Sequence, residues 1–337
     1  MRMLPATICA MLLLLAMAGQ AVAVPTPVAR ALPGPSSDGS SAAGPTVVAH
    51  RGGAAYGPEN TMLAVENAAR LGVDAIEIDV MLSADDELVI IHDDMLERTT
   101  DCTGAVAEHT VVELQRCDAA HWWSPGQAPT RPDTDAEHPL RGSGVTVPTL
   151  RELLVWAAAQ RETPRLAIEV KSIPGERNFD AVSRAAAEEV VSMVHEFDLT
   201  DDVIVYSFWP PVIDNVQLLD PQLPTLLLTT SELGVLASAG LTYAAARDHD
   251  AVGPNHDAPD LDERFMQLAD ALGREVHTYT VDTVAEQQRV IDLGVDAVIS
   301  DWPACTLQLL DRPVRGQVLP AAALAGGARP MGPCPGA

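Results

Sequence analysis

Residues 75–93 read AIEIDVMLSADDELVIIHD, and this stretch decides the fold. Two runs of apolar and β-branched residues are separated only by the short segment Ser83–Glu87. A crossover between parallel strands needs a dozen or more residues. Segments 74–82 and 87–92 are therefore predicted to form an antiparallel hairpin, which brings His92 roughly opposite the acidic residues of the first strand.

The rest of the chain from residue 46 alternates between short strand-like runs and amphipathic helical stretches. The further predicted strands cover 46–50, 165–170, 202–207, 225–229, 250–253, 276–281 and 297–300. The predicted helices cover 60–71, 149–160, 180–197, 211–219, 232–239, 261–272 and 283–293. Such alternation is typical of βα units around a parallel sheet. Once the second hairpin strand is set apart, eight strands remain, which indicates an α/β fold of the TIM-type (β/α)8 barrel over residues 46–312.

Residues 95–145 interrupt this alternation directly after the strand that ends in His92. They contain Cys102, Cys117 and the pair Trp122–Trp123, followed by a polar stretch rich in Pro and Asp. A long insertion on a barrel is usually functional or forms a cover. We expect this inserted segment to lie over the rim of the barrel and to shape what can enter.

Both ends of the chain differ in composition from the predicted domain. An apolar run at 8–17 is followed by Ala-Val-Ala at 21–23, the pattern of a secretory cleavage site, so residues 1–23 are predicted to be a signal peptide. Residues 24–45, rich in Pro, Gly, Ser and Ala, are expected to be a flexible linker, and residues 313–337 a disordered tail. The apolar run is short for a membrane span, so we expect a secreted protein without a stable membrane anchor.

Four cysteines remain once the predicted signal peptide is removed. An even number of cysteines in an exported protein permits two disulfides, and four cysteines allow three pairings. Cys102–Cys117 and Cys305–Cys334 are favoured because each closes a local loop.

The formal net charge is −26, from 47 acidic and 21 basic residues. A surface this negative repels nucleic acid and anionic membranes, so neither is expected as a direct partner. The oligomeric state has no signature in the sequence.

Glu77 and Asp79 lie two residues apart on a predicted strand, so their carboxylates point to the same face. Two carboxylates on one inward face repel each other unless a cation lies between them. A divalent ion with hard oxygen ligands meets that need, and Glu169 offers a third carboxylate. The alternative is a solvated strand face, or ion pairs with Arg51 or Lys171.

His50 and His92 each follow an apolar run, where a histidine is buried unless it faces a cavity. Facing a cavity, they suit general acid and general base catalysis near neutral pH; otherwise they are hydrogen-bonded core histidines. Arg51 presents a planar fork that matches phosphate oxygens, and Lys171 shares a strand face with Glu169, so both are candidates to bind phosphate. Their alternative is simple solvation at the surface. Together these residues favour metal-assisted cleavage of a phosphate ester.

Several short motifs, in order and at plausible spacing, resemble those of the glycerophosphodiester phosphodiesterase family. They are His50-Arg51-Gly52, Pro58-Glu59-Asn60-Thr61, Glu77-Ile78-Asp79, His92-Asp93, Arg98-Thr99-Thr100, Glu169-Val170-Lys171, Ser207-Phe208, Tyr279-Thr280-Val281-Asp282 and Ser300-Asp301-Trp302-Pro303. The resemblance covers roughly residues 46–311. It implies a βα-barrel phosphodiesterase that needs one divalent cation, Ca²⁺ or Mg²⁺.

The resemblance also implies a role for each candidate residue. Glu77, Asp79 and Glu169 match the metal ligands, His50 and His92 the acid/base pair, Arg51 and Lys171 the phosphate contacts, and Glu59 an acidic residue near metal and substrate. Phe208 and Tyr279 are supporting residues, and Tyr279 stands where the family often has Trp, which keeps an aromatic wall. The hairpin turn has Asp85-Asp86 in place of the usual Asp-Gly, which leaves its geometry open.

We therefore expect a secreted, metal-dependent phosphodiesterase that converts small glycerophosphodiesters to sn-glycerol 3-phosphate and an alcohol. The nearest alternative is cleavage of a phospholipid or lysophospholipid headgroup, with Trp122–Trp123 as a lipid-facing wedge. An alternative of another class is a secreted binding barrel without catalysis, against which the intact pair of histidines argues.

Overall fold

The computed structural model describes residues 44–126, 136–160, 162, 164–172, 179–316 and 334–336. Eight parallel strands close into a barrel, because the first strand pairs with the second on one side and with the last on the other. The strands are β1 (Thr46–Ala49), β2 (Ala75–Leu82), β3 (Leu88–Ile90), β4 (Arg165–Val170), β5 (Val203–Ser207), β6 (Thr225–Thr229), β7 (Ala251–Pro254), β8 (Glu275–Thr278) and β9 (Ala297–Ser300). The predicted TIM-type barrel is confirmed.

The strand outside the barrel is β3, which forms the predicted antiparallel hairpin with β2 through pairs such as Val80 opposite Ile90. Its turn needs no glycine, because Asp86 adopts the left-handed conformation at φ 60°, a region that Asp tolerates better than most residues. Ser83 Oγ donates a hydrogen bond of 2.7 Å to Asp85 Oδ1 and stabilises the turn.

Nine α-helices are present in the described ranges. They are α1 (Met62–Leu71), α2 (Val111–Leu114), α3 (Leu150–Ala158), α4 (Phe179–Glu196), α5 (Pro210–Leu219), α6 (Ala237–Arg247), α7 (Glu263–Leu272), α8 (Val284–Leu293) and α9 (Pro303–Leu309). Several begin at a side-chain cap: Thr61, Thr149, Asp262 and Thr283 accept hydrogen bonds from backbone N–H groups of the first turn.

One helix prediction needs correction, and two short helices were not predicted. The prediction of a helix at 232–239 is wrong in its bounds, because the helix is α6 and the segment Ser231–Leu233 forms only a 3-10 turn. The short helices α2, within the inserted segment, and α9, directly after β9, have no counterpart among the predictions.

The strands are buried on both faces, which explains why they read as continuous apolar runs. The interior of the barrel is filled by side chains from successive strands: Val48, Ala75, Ala167, Ile204, Tyr206, Leu226, Leu228, Ala251, Ala297 and Ile299. A second layer packs between the outer faces of the strands and the helices. This filled interior gives a rigid base to the residues at the carboxyl ends of the strands.

The inserted segment has a small core of its own, which packs Leu96, Val106 and Leu114 against the β2–β3 hairpin. The predicted disulfide Cys102–Cys117 is present within it. Trp123 is 5 % exposed, and its indole N–H donates to the Ala54 carbonyl at 2.9 Å, so it joins the insertion to the loop after β1. A lipid-facing role for Trp123 is therefore contradicted.

The predicted disulfide Cys305–Cys334 is also present, and it holds residues 334–336 on the domain. The Val284 N–H, at the start of α8, donates to the Pro335 carbonyl at 3.0 Å. The predicted signal peptide and most of the predicted linker and tail lie outside the described residues. No helix in the described part of the chain has the length and apolar character to span a bilayer.

Candidate active site

The predicted site residues converge at the carboxyl ends of the strands, where (β/α)8 barrels carry their active sites. His50 and Arg51 follow β1, Glu77 and Asp79 lie on β2, and His92 follows β3. From the neighbouring strand β4 come Glu169 and Lys171, with Glu169 in register with Asp79.

Glu77, Asp79 and Glu169 form a compact acidic group at the floor of the site. They are 3 %, 1 % and 8 % exposed, and one oxygen of each lies within 4.8 Å of those of the other two. Among the described residues no other set of acidic, His or Cys side chains meets the same test. Glu77 Oε1 is buried and has no hydrogen-bond partner there.

The electrostatics of this group favour a bound cation. Burial, together with the charges of Asp79 and Glu169, raises the pKa of Glu77 to about 8. Three hard oxygen donors with one orphaned oxygen fit a divalent ion such as Ca²⁺ or Mg²⁺. The protein's own cations neutralise the negative charge of the three acids only in part.

Those cations are Lys171 and Arg51, so the ion-pair alternative also holds in part. Lys171 Nζ lies 2.8 Å from Glu169 Oε1 and 3.3 Å from Asp79 Oδ1, and Arg51 Nε lies 3.6 Å from Asp79 Oδ2. Burial would raise the pKa of Asp79, but Lys171, His92 and Arg51 outweigh it and hold that pKa well below its usual range. Asp79 is therefore ionised.

His50 is oriented by a carboxylate from the far end of the chain. Its Nδ1 lies 2.7 Å from Asp301 Oδ1, which can only accept, so Nδ1 carries the proton and Nε2 is left for the cavity. Nε2 is 4.0 Å from Glu77 Oε2. Burial disfavours the imidazolium, but Asp301 and Glu77 outweigh that effect and raise the pKa of His50 to about 9.

His92 is oriented in the same way by its neighbour, with Nδ1 2.6 Å from Asp93 Oδ1. Arg98 bonds both Asp93 and Glu59 through its guanidinium. Glu59 also accepts from Arg51 Nη1 at 2.9 Å, so this predicted supporting residue joins the two arginines. Burial would raise the pKa of Glu59, but the two arginines lower it, so Glu59 is ionised.

Asn60 has a structural role that was not predicted from its motif. It adopts a left-handed conformation at φ 57°. Its Nδ2 donates to Asp79 Oδ2 at 2.8 Å, and its Oδ1 accepts from the Asp79 N–H at 3.1 Å. Through these two hydrogen bonds, the loop before α1 fixes the position of Asp79.

The supporting residues Phe208 and Tyr279 pack edge to face with ring centroids 5.7 Å apart. The Tyr279 hydroxyl donates to the Thr229 carbonyl at 2.8 Å, which fixes the ring. The two rings therefore form an aromatic pair just beyond the ends of β5 and β8.

An open cavity of about 370 Å³ lies beside His50, Arg51 and His92. Its lining includes both histidines, both arginines and four acids: His50, Arg51, Ala54, Glu59, His92, Asp93, Arg98, Thr280, Asp282 and Asp301. Arg98, Asp282 and Asp301 have no predicted role although the quoted motifs contain them. A small phosphodiester fits a cavity of this size.

The order of these residues along the barrel matches a known family. The model of the glycerophosphoryl diester phosphodiesterase family matches residues 50–305. The chain belongs to this family. Its enzyme class is accordingly that of the phosphoric diester hydrolases that act on glycerophosphodiesters.

Individual relatives agree with the family assignment. A glycerophosphodiester phosphodiesterase of Bacillus subtilis strain 168 is 30 % identical over 261 residues, which cover 76 % of this chain and 83 % of the relative. That of Bacillus altitudinis is 30 % identical over 76 % of this chain and 94 % of its own. A phosphodiesterase of Oleispira antarctica, solved in complex with the product sn-glycerol-3-phosphate, has a TM-score of 0.65 at 25 % identity, covering 80 % of this chain and 97 % of that one.

Proposed function

We propose that this chain is a metal-dependent glycerophosphodiester phosphodiesterase that uses His50 and His92 as its acid/base pair. One observation carries the proposal: two histidines, each held at Nδ1 by a carboxylate, line one cavity with the arginines above a buried acidic triad. The product complex of the Oleispira antarctica relative supports a substrate of the glycerophosphodiester class.

The acidic triad would hold the divalent cation, which when bound neutralises phosphate charge as a Lewis acid. Lys171 lies against Glu169 and Asp79 and would contact a phosphate oxygen from the β4 side. Arg51 would contact another from the β1 side, held in place by Glu59. Fixed cations of this kind stabilise charge in the transition state because they need no rearrangement.

The two histidines would divide the proton transfers of hydrolysis. With water as the nucleophile, one histidine accepts its proton at Nε2, and the other donates a proton from Nε2 to the departing alcohol oxygen. The P–O bond to the alcohol breaks as the new P–O bond forms, so sn-glycerol 3-phosphate and the alcohol leave. Asp301 and Asp93 would keep both rings in the tautomer this exchange requires.

We also propose that the protein is exported. The signal-like segment 1–23 and the two disulfides support this location, since disulfides persist in oxidising compartments. Amino-terminal sequencing of the protein recovered from culture medium should begin at Val24. Retention inside the cell with Met1 intact would contradict export.

The function is tested by release of sn-glycerol 3-phosphate from glycerophosphocholine by the mature protein. We expect release to stop after EDTA treatment and to return with Ca²⁺ or Mg²⁺. Faster turnover of lysophospholipid vesicles than of glycerophosphocholine would favour the headgroup-cleaving alternative. Cation binding in a calorimeter without turnover of any phosphodiester would favour the non-catalytic barrel.

A further inference from the structure

Asp282 lines the cavity but takes no part in the proposed chemistry. It lies in the loop after β8 and is only partly buried. Its Oδ1 accepts from the Asp301 N–H at 2.9 Å and from the Ser300 hydroxyl at 3.3 Å. Both bonds position the loop after β9, and neither supplies a positive charge.

The other acidic side chains that line the cavity form ion pairs, and Asp282 does not. Glu59 is paired with Arg51 and Arg98, and Asp93 with Arg98 and His92. Asp301 is paired with His50. Within the described residues Asp282 forms no ion pair, whereas the other three acids of the lining each do, so this corner of the cavity has one acid in excess.

The position of Asp282 suits contact with one end of a bound diester. Asp301 connects it to His50, whose Nε2 faces the reacting phosphate in the proposed function. Asp282, Asp301 and His50 line the same cavity, so a charged group a few bonds from a phosphate bound at His50 would share the space that Asp282 faces. The uncharged glycerol half of the substrate could offer Asp282 only a hydroxyl, whereas a cationic alcohol would offer the charge that the corner lacks.

We propose that Asp282 makes the enzyme selective for glycerophosphodiesters whose alcohol carries an ammonium group, such as choline. The inference rests on the proposed function and deepens it. Burial and the neighbouring carboxylate of Asp301 raise the pKa of Asp282 to about 7, so an approaching ammonium group also favours its ionised form.

The test compares glycerophosphocholine with its uncharged isostere, the 3,3-dimethylbutyl ester of sn-glycerol 3-phosphate. Both substrates release sn-glycerol 3-phosphate, so one assay reports kcat/KM for each. We expect the native protein to prefer the choline diester by about 10-fold, the factor that about 1.4 kcal/mol of charge attraction gives. Asp282→Asn keeps an oxygen acceptor for Asp301 and Ser300, and should bring the ratio close to one.

Two further variants separate charge in the cavity from other effects. Asp282→Glu retains the charge and should retain the preference even if the longer side chain slows both reactions. Asp270→Asn removes the same charge from the exposed face of α7 and should leave the ratio unchanged. A preference that survives in Asp282→Asn, or a fall in kcat/KM that is equal for both diesters, would overturn the inference.

The pH dependence of the ratio gives a second readout. His50 and His92 serve both substrates, so their titration cancels in the ratio. The groups identified around Asp282 are the carboxylate of Asp301, His50 and the Ser300 hydroxyl. Because Asp282 ionises near pH 7, the preference for choline should rise between pH 6 and pH 8, and a flat ratio would contradict its role.

If the native protein cleaves neither diester, the proposed function fails and the selectivity falls with it.

Discussion

At the scale of single residues, each proposed catalytic histidine depends on one carboxylate. His50→Ala or His92→Ala should lower kcat by about 10²- to 10⁴-fold, the usual contribution of a positioned acid or base. The fold should persist, because both rings lie at the cavity and not in the apolar core. The measurement is kcat for glycerophosphocholine together with the thermal unfolding midpoint.

The matched control for these variants is His195→Ala. His195 is exposed on α4 and its side chain bonds only Asp220 among the described residues, so its loss should leave kcat unchanged. Turnover near the native rate in either cavity variant would remove that histidine from the mechanism.

Contacts between site residues close in sequence could be predicted, whereas contacts between residues far apart in sequence could not. Glu77, Asp79 and His92 lie on one hairpin, so the strand period and a turn count bring them together. The partner of His50 is Asp301, 251 positions away, and only the pairing of β9 with β1 places them side by side. Barrel closure is a property of all eight strands, so no local pattern indicates that contact.

At the scale of elements, the loop before α1 is predicted to set the affinity of the cation site. Asn60→Ala removes both hydrogen bonds to Asp79 and also strains a left-handed backbone. Partners of this kind orient metal ligands, so affinity for Ca²⁺ or Mg²⁺ should fall by about 10- to 100-fold in a calorimetric titration.

Asn60→Gly separates the side chain from the backbone, because glycine adopts φ 57° without strain. The loss of affinity should persist in this variant if the hydrogen bonds to Asp79 cause it. Native affinity in the glycine variant would instead assign the effect to backbone strain.

The wrong bounds predicted for α6 have a cause in the packing of this helix on a strand. The predicted helix ends at 239, directly before Gly240, and a glycine near the end of a helical pattern can mark its C-cap. In the structure Gly240 lies inside α6, where a Cβ atom would collide with the side chain of Thr229 on β6. The glycine permits close packing of helix on strand, and a requirement set by the partner element cannot be read from the helix alone.

At the scale of the whole molecule, the two disulfides act on different parts of one domain. Cys102–Cys117 closes a separation of 15 residues inside the insertion, and Cys305–Cys334 closes one of 29 residues that returns the chain end to the start of α8. Loop-closure entropy gives each bond about 3–4 kcal/mol of stability, with about 0.6 kcal/mol more for the longer loop.

Replacing Cys305 and Cys334 together by Ser should therefore lower the free energy of unfolding in urea by about 3.5 kcal/mol. Cys102→Ser with Cys117→Ser should cost about 3 kcal/mol, and it should also slow turnover, because that bond braces the insertion beside His92 and Arg98. The Cys305–Cys334 bond holds the chain end outside the cavity lining, so its loss should leave kcat near the native value at temperatures where the variant is folded.

Equal stability of both double variants and the native protein would mean that the packed barrel alone sets the unfolding free energy. A loss of turnover confined to the Cys305/Cys334 variant would instead mean that the tethered chain end supports the loop that carries Asp282.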